Sequence, residues 1–314
     1  MATETTITSN YAGVEIKGPD AGGFFLETFK EADALKNGIL TVYPNINFEA
    51  WLRKLETTNG RRNYTCGHVP NGSVTLSERL LKPKKFKDDF DLCKEDFRVQ
   101  WGEASMGASA HNDAMDKNAM DAIIANKLAD NAEEFGELIW TGDDSNAGEF
   151  DGFLTLFATD ASVIDVYLAA ITESNVEAEI KKALNAVPIA LRNKSTLKVS
   201  VSANIAQAYN FFLASKGIAN GLGGNANTSL VFGNYTLVVD NGLPANTIVI
   251  AEPKNLAFGT GALADHNEIK VVDEDTIGLL TGKVRGTMVY NAGVQYAYGA
   301  EIVWASNTHP VPSV

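Results

Sequence analysis

Apolar residues between positions 117 and 140 recur at steps of three and four, which places them on one face of an α-helix. The apolar positions of this face are Met120, Ile124, Leu128, Ala132, Phe135 and Ile139. Charged residues, most of them acidic, occupy much of the remainder. The pattern therefore predicts a long amphipathic helix with one buried face and one charged face.

The helical pattern stops at a cluster of turn-forming residues, Thr141–Asp144, with the sequence TGDD. An apolar run follows at Phe150–Leu154, with the sequence FDGFL. We expect a strand there. The predicted order is thus a long helix, a turn and a short apolar strand.

One basic stretch of the chain has the composition of a projecting hairpin. Two segments, Thr57–Arg62 and Val69–Ser73, each contain an Asn-Gly pair, which is a strong turn signal. Residues 74–80 alternate like an extended limb, and Pro83 breaks that limb. Because few apolar residues are available to anchor positions 57–73 in a core, we expect a hairpin that projects from the body.

The second half of the chain predicts a mixed α/β arrangement. Ser174–Glu177 has the capping-box pattern that opens a helix, and Pro188 ends or bends that helix. A strand is predicted around Leu197–Val201, followed by a helix that ends at Gly217. Further predicted strands are Tyr235–Val239, Thr247–Ala251, Glu268–Val272, Val284–Tyr290 and Val294–Trp304, with turns at Asn241–Gly242 and Asn291–Gly293.

Charge is unevenly distributed along this acidic chain, whose net charge is -13. Residues 53–87 contain nine basic and two acidic residues, a net charge of +7. Residues 103–160 contain thirteen acidic and two basic residues, a net charge of -11. Complementary charges on one chain predict contacts between neighbouring copies, with a solvated basic face as the alternative. The candidate contact residues are Arg61, Arg62, Lys84, Lys85, Asp130, Glu134 and Glu137.

Composition argues against several classes of protein. An acidic chain is a poor nucleic-acid binder, because phosphate contacts need clustered Lys and Arg. The amino terminus lacks the pattern of a secretory signal, and no segment approaches the roughly 18 consecutive apolar residues of a membrane span. We therefore expect Cys66 and Cys93 to be reduced and structural. Cys66-Gly67-His68 supplies half a zinc site without the other half.

Motifs for catalysis and cofactors are missing or lie out of context. Residues 221–226 and 259–264 match G-x-G-x-x-A but lack the strand–turn–helix setting of a dinucleotide site. The acidic turn at 143–151 departs from EF-hand spacing, which favours a solvated turn over a calcium site. We therefore expect no catalytic residue, no cofactor and no metal. The alternative from another class is an acidic α/β enzyme or a ligand-binding protein.

The long helix, the TGDD turn and the FDGFL run, in that order, resemble the spine-helix region of tailed-bacteriophage major capsid proteins with the HK97-like fold. The basic hairpin occupies the place of the E-loop, and the resemblance extends from about residue 38 to residue 305. It implies an α+β fold with an extended N-terminal arm, a projecting β-hairpin E-loop, a long spine helix in the P-domain and a compact α/β A-domain. The implied segments are 1–40 for the arm, 41–98 for the E-loop region, 99–194 and 285–314 for the P-domain with its spine helix at about 117–140, and 195–284 for the A-domain.

The resemblance also implies a function. The expected protein is a structural major capsid protein that self-assembles into hexamers and pentamers of an icosahedral head around double-stranded DNA, without sequence-specific binding. It would assemble in the bacterial host cytoplasm and remain in the virion, with separate scaffold, portal and decoration proteins as partners and no membrane. The close alternative is an encapsulin-like nanocompartment shell around a protein cargo.

Overall fold

The computed structural model of the protein describes residues 14–15, 33–46, 48–64, 66, 71–93, 117–217, 230–261, 270–274 and 281–308. Within these ranges the chain forms five α-helices and fourteen strands. The helices are α1 Asp33–Lys36, α2 Lys117–Thr141, α3 Phe153–Thr159, α4 Val176–Ala186 and α5 Ala203–Ser215. The strands are β1 Val14–Glu15, β2 Thr41–Tyr43, β3 Ala50–Thr57, β4 Val74–Leu81, β5 Lys84–Cys93, β6 Ile164–Tyr167, β7 Lys198–Val201, β8 Leu230–Phe232, β9 Tyr235–Val239, β10 Thr247–Ala251, β11 Leu256–Thr260, β12 Lys270–Asp273, β13 Lys283–Tyr296 and β14 Val303–Ser306.

The first sheet is organised around the long strand β13. Its strand order is β1-β12-β13-β11-β2, and β5 also pairs with β13. The β5–β13 pairing is antiparallel and runs from Lys84 opposite Ala292 to Cys93 opposite Lys283. Helices α2 and α3 contribute apolar side chains to the core of this sheet. That core includes Phe135, Ile139, Trp140, Phe153, Phe157, Phe258, Met288 and Tyr296.

The second sheet has the strand order β6-β14-β10-β7-β9-β8. Its central strand β10 is buried along its whole length. Successive side chains of β10 point to opposite faces, so Ile248 and Ile250 join the core formed with α4 and α5, whereas Val249 and Ala251 join the core of the first sheet. Strand β10 therefore lies between two apolar layers, which explains why residues 247–251 read as a nearly continuous apolar run.

Several predicted elements are confirmed. The long helix is α2, and its predicted inward residues Ala132, Phe135 and Ile139 are buried. The side chains of the other three predicted inward residues, Met120, Ile124 and Leu128, lie outside the described part of the chain. Strands 235–239 and 247–251 have the predicted bounds.

Other predicted elements are confirmed with small shifts in their bounds. Helix α5 ends at Ser215, and the predicted glycine, Gly217, follows two residues later with a φ of +72°, which suits a residue beyond a helix end. The predicted strand at 268–272 is found as β12, shifted by one or two residues. Pro83 separates β4 from β5, as expected. In the described residues, no helix combines the length and the apolar character that a membrane span needs.

The strand prediction for the FDGFL run is wrong. This run leads into α3, in which Phe153, Leu154 and Phe157 are all buried. Leu154 and Phe157 lie one and four residues after Phe153, so the three side chains share one face of a helix. Phe153 on this face packs against Trp140 of α2. Residues 155–159, which follow the short run, supply the second turn of the helix. They determine that this segment is helical.

The predicted turn at Asn291–Gly293 is also wrong, because β13 continues through it from Lys283 to Tyr296. Gly293 allows a close contact between two backbone segments and does not form a turn. A Cβ atom there would lie 2.9 Å from the Cα of Pro83, in the connection that follows the hairpin. The predicted strand at 294–304 is accordingly divided between the end of β13 and β14.

The capping-box prediction at Ser174–Glu177 is wrong in detail. Asn175 is the residue that precedes α4, and its side-chain oxygen accepts a hydrogen bond from the backbone N–H of Thr172 at 2.7 Å. Glu177 faces solvent and pairs with Lys181 one helical turn later.

Both sheets combine strands from either side of the predicted domain boundaries at 195 and 284. Strands β6 and β14, outside that range, lie in the second sheet with β7 to β10. Strands β11 and β12, inside that range, lie in the first sheet. Sheet membership thus groups residues 164–251 with residues 303–306.

Candidate subunit interface

Strands β3 and β4 form a two-stranded hairpin that belongs to neither six-stranded sheet. They are antiparallel over eight residue pairs, from Ala50 opposite Leu81 to Thr57 opposite Val74. Beyond the last pair, the backbone N–H of Thr58 donates to the carbonyl of Ser73 at 2.9 Å and continues the ladder. The predicted hairpin is therefore present, and its tip includes residues 58–64 and 71–73.

One face of the hairpin is apolar and exposed. We call the side chains of Trp51, Leu55, Val74 and Leu76 the outer face. Their exposed fractions are 57%, 57%, 71% and 59%. The strand register places Leu55 directly opposite Leu76, next to Val74, so these three side chains form a strip. The Arg53–Glu78 pair separates this strip from Trp51 on the same face. A large exposed apolar strip on a soluble domain marks an interaction surface.

The opposite, inner face of the hairpin contacts the body. Leu52 packs against a small buried cluster of Ile46, Leu81 and Ala257. The Lys54 ammonium lies 5.1 Å from the ring centroid of Tyr298, within the range of a cation–π contact. The hairpin is therefore attached along one face and open on the other.

The structure places the four predicted basic contact residues in two different locations. Arg61 and Arg62, the tip arginines, are exposed at the end of the hairpin. Lys84 and Lys85 instead begin β5 and belong to the first sheet. The signal for this strand is the alternation of residues 84–93, in which every second side chain is partly buried.

The predicted acidic contact residues share the solvent side of α2. Asp130, Glu134 and Glu137 are all exposed, and the neighbouring Glu133 is exposed with them. The opposite side of the helix is buried in the first core. We call these four carboxylates the acidic face of α2.

A cleft of about 590 Å³ lies between β5, α2 and the loop at 146–149. It brings Lys84, Lys85 and Glu134 together, whereas the tip arginines, Asp130 and Glu137 do not line it. At one side of the cleft, Asp88 accepts a hydrogen bond from Asn131 at 3.0 Å and pairs with Lys127 at 3.3 Å.

Charges around the cleft are largely compensated within the chain. Lys84 forms an ion pair with Asp144. Burial, together with the nearby carboxylates of Glu134 and Asp88, raises the pKa of Tyr290 in the cleft to about 12. Tyr290 therefore stays a neutral phenol, and the cleft has no strong net charge for a partner.

Ion pairs also reduce the effective charge of the basic stretch. Arg53 pairs with Glu78 across the hairpin at 3.5 Å, and Lys87 pairs with Asp89 at 2.7 Å. Such exposed pairs contribute little to stability, but they lower the charge that a neighbour would meet. The tip arginines and the acidic face of α2 are exposed to solvent, and this exposure makes them candidates for charge-based contact.

The TGDD turn closes a narrow neck between α2 and α3. The backbone N–H of Gly152 donates to the carbonyl of Gly142 at 2.9 Å. A Cβ atom at Gly142 would lie 2.2 Å from the carbonyl oxygen of Phe150, and one at Gly152 would lie 2.6 Å from that of Trp140. Glycine is required at both positions because backbone meets backbone there.

Acidic side chains in this turn hold the loop itself. The backbone N–H of Asp143 donates to Glu149 at 3.0 Å, and that of Asp144 donates to Asp151 at 2.9 Å. The pKa of Asp143 lies below its usual value because its carboxylate accepts hydrogen bonds from Ser145. These carboxylates accept hydrogen bonds from the backbone of the loop, and this structural role explains why several acidic residues lie in the turn.

No protein-family model matches the chain, and no curated protein sequence matches it. Solved structures do. That of Mycobacterium phage Che8 covers 99% of this chain and 97% of its own, with a TM-score of 0.54 and 13% identity. The satellite phage P4 procapsid, solved with its size determination protein, covers 93% of this chain and 92% of its own, with a TM-score of 0.58 and 12% identity. A virus-like particle from Pyrococcus furiosus covers 90% of this chain and 96% of its own, with a TM-score of 0.51 and 11% identity.

The chain therefore has the α+β fold of tailed-phage capsid structures, the HK97-like fold, which confirms the predicted fold class. The agreement extends over nearly the whole length of both chains. Two of these solved structures are particles, a phage procapsid and a virus-like particle.

Proposed function

We propose that this protein is the major capsid protein of a tailed bacteriophage. Many copies assemble into hexamers and pentamers of a closed icosahedral head, which encloses double-stranded DNA in the virion. The observation that carries this proposal is the agreement in fold with a phage procapsid over 93% of this chain and 92% of the other. A partial likeness would support a shared module, whereas a likeness over the full length supports a shared role.

We propose a domain assignment that is based on the two sheets and the hairpin. We assign the E-loop to the β3–β4 hairpin and the P-domain to α2 with the first sheet. The A-domain is the second sheet with α4 and α5, which shifts its proposed range from 195–284 to 164–251 with 303–306. The P-domain and the A-domain then each have an apolar core.

The hairpin is the part of the subunit best suited to reach a neighbouring copy. Its outer face offers apolar area, and its tip arginines offer positive charge. The acidic face of α2 offers the complementary charge on a neighbour. Each contact is weak alone, but a closed shell repeats it in every subunit.

The acidic chain does not favour tight binding of DNA, since phosphates repel a net charge of -13. This charge suits a container that packs a genome without adhering to it. A separate scaffold, a portal and decoration proteins complete the proposal, with assembly in the bacterial host cytoplasm. The alternative is a nanocompartment shell, which the virus-like particle supports less well, with a TM-score of 0.51 against 0.58 for the procapsid.

Assembly of the purified protein tests the proposal. We expect sedimentation velocity and negative-stain microscopy to show closed shells, or hexamers and pentamers, with or without a co-expressed scaffold. A protein that remains a single subunit at high concentration, and gains stability from a small metabolite, would support the enzyme class instead. Nuclease protection of DNA within particles from infected cells separates a genome container from a shell with protein cargo.

A further inference from the structure

The base of the hairpin is joined to the body by a closed network of three side chains. Arg79 of β4 forms an ion pair with Asp160, the residue that follows α3. The Arg79 guanidinium also lies 4.2 Å from the ring centroid of Tyr296 in β13. The Tyr296 hydroxyl donates a hydrogen bond to the same Asp160 carboxylate at 2.7 Å. Each of the three residues therefore contacts the other two.

The two body residues of this network are themselves fixed. Tyr296 is 1% exposed and packs edge-to-face on Phe157, with 5.2 Å between ring centroids. The second carboxylate oxygen of Asp160 accepts a hydrogen bond from the backbone N–H of Ser162 at 2.9 Å. Arg79 is the member that comes from the hairpin, so it meets a preformed receptor.

The electrostatics of the network favour a permanent ion pair. Burial alone would raise the pKa of Asp160, but hydrogen bonds from Arg79, Ser162 and Tyr296 hold it well below its usual value. Burial and the bond to Asp160 raise the pKa of Tyr296 to about 12. The carboxylate and the neutral phenol therefore persist across the physiological pH range.

Further contacts from the same end of β13 hold both strands of the hairpin. The hydroxyl of Tyr298 accepts from the backbone N–H of Leu55 at 3.0 Å. The side-chain amide of Gln295 donates to the carbonyl of Leu80 at 3.1 Å. Residues 295–298 thus act as a docking strip for the inner face.

We propose that Arg79, Asp160 and Tyr296 form a positioning lock that fixes the direction of the hairpin in the single subunit, before any partner binds. A two-stranded hairpin without such support would sample many directions, because it is marginally stable alone. The lock removes that freedom in advance, so less ordering remains when the outer face meets its partner. That consequence for assembly rests on the proposed function, whereas the lock itself is a property of one chain.

The chain contains a natural pair of reporters for this test. Cys66 near the hairpin tip and Cys93 at the end of β5 are both exposed and free. A spin label on each gives an intrachain distance between hairpin and body by pulsed electron paramagnetic resonance. Diluting labelled chains with chains blocked by a diamagnetic label keeps the measurement intrachain even in assembled shells.

We expect a narrow distance distribution for the native chain and a broad or shifted one for Arg79→Met. The matched control is Arg53→Met, on the outer face of the same hairpin, where Arg53 is 75% exposed and paired with Glu78. This control should keep the native distribution. Asp160→Asn changes the body side and leaves the hairpin sequence intact, so it should also broaden the distribution while circular dichroism stays native.

A native, narrow distribution in both Arg79→Met and Asp160→Asn would overturn the lock. Broadening in Arg53→Met equal to that in Arg79→Met would also overturn it, because the effect would then be general to the hairpin. The distances are read whether or not shells form. A failure of the capsid proposal therefore appears in sedimentation, and a failure of the lock appears in the distance distribution.

Discussion

The indole nitrogen of Trp140 donates a hydrogen bond to the buried carboxylate of Asp240, 2.9 Å away. Trp140 is near the end of α2 in the first core, and Asp240 follows β9 of the second sheet. The other Asp240 oxygen accepts from the backbone N–H of Gly242 at 3.0 Å. Burial, together with the Asp33 carboxylate of α1, raises the pKa of Asp240 to about 6, although the hydrogen bonds from Trp140 and Gly242 oppose this shift. The contact thus joins α2 to the second sheet through a group that titrates near neutral pH.

Asp240 predicts a pH dependence of subunit stability. Its folded pKa of about 6 exceeds the ordinary value of 3.8, so the folded state binds more protons than the unfolded state between those values. Its contribution to the free energy of unfolding is therefore present at low pH and falls as pH rises through 6. Between pH 5 and pH 7 the loss is about 1.4 kcal/mol. Urea unfolding of dissociated subunits should show this loss in the native chain and its absence in Asp240→Asn. Equal pH dependence in both proteins would contradict it.

The outer face of the hairpin predicts an apolar contribution to assembly. Leu55→Ser combined with Leu76→Ser should raise the concentration needed for assembly while leaving subunit stability within about 0.5 kcal/mol, because both side chains are exposed in the subunit. Light scattering across a concentration series measures the first quantity and urea unfolding the second. The control is Ile189→Ser, an 83% exposed apolar residue away from the hairpin. If the control and the double variant assemble alike, the outer face is not a contact surface.

The two groups of basic residues should respond differently to charge reversal. Arg61→Glu with Arg62→Glu should weaken assembly, most strongly at low salt, and leave the subunit stable. Lys84→Glu should instead lower subunit stability by ~1 kcal/mol, since it places a carboxylate against Asp144 of the same chain. Lys85→Glu, one residue away and exposed, is the matched control for stability. Assembly of the double arginine variant at native level in low salt would exclude charge-based docking of the tip.

The neck between α2 and α3 predicts a graded cost of adding a methyl group. Gly152→Ala should destabilise the subunit by more than ~3 kcal/mol, because the new Cβ would lie 2.6 Å from backbone atoms of Trp140. Gly148→Ala has open space but a φ of +90°, so it should cost ~1 kcal/mol. Thermal unfolding of the two variants ranks their losses of stability. A smaller loss in Gly152→Ala than in Gly148→Ala would contradict this prediction.

Local periodicity predicted the elements that bury one regular face. Ala132, Phe135 and Ile139 reveal α2 because each is three or four residues from the next, and residues 247–251 reveal β10 because they form a short apolar run. Gly293 led to an incorrect turn prediction. A glycine is required there because the backbone lies against Pro83, which is more than 200 residues away along the chain.

The candidate site depends still more on distant pairs. Counting charge along the chain placed Lys84 in a projecting basic arm, but its partner Asp144 is 60 residues away and neutralises it in space. The partner of Arg79, Asp160, is 81 residues away. No sequence spacing indicates such pairs, because the fold alone brings the residues together.

The most direct test of the central claim is a cryo-electron microscopy reconstruction of particles formed by this chain. We expect a closed shell in which Trp51 and Leu55 of each hairpin are buried against a neighbouring copy. A shell in which those side chains remain in solvent, or a protein that forms no shell with any scaffold, would contradict it.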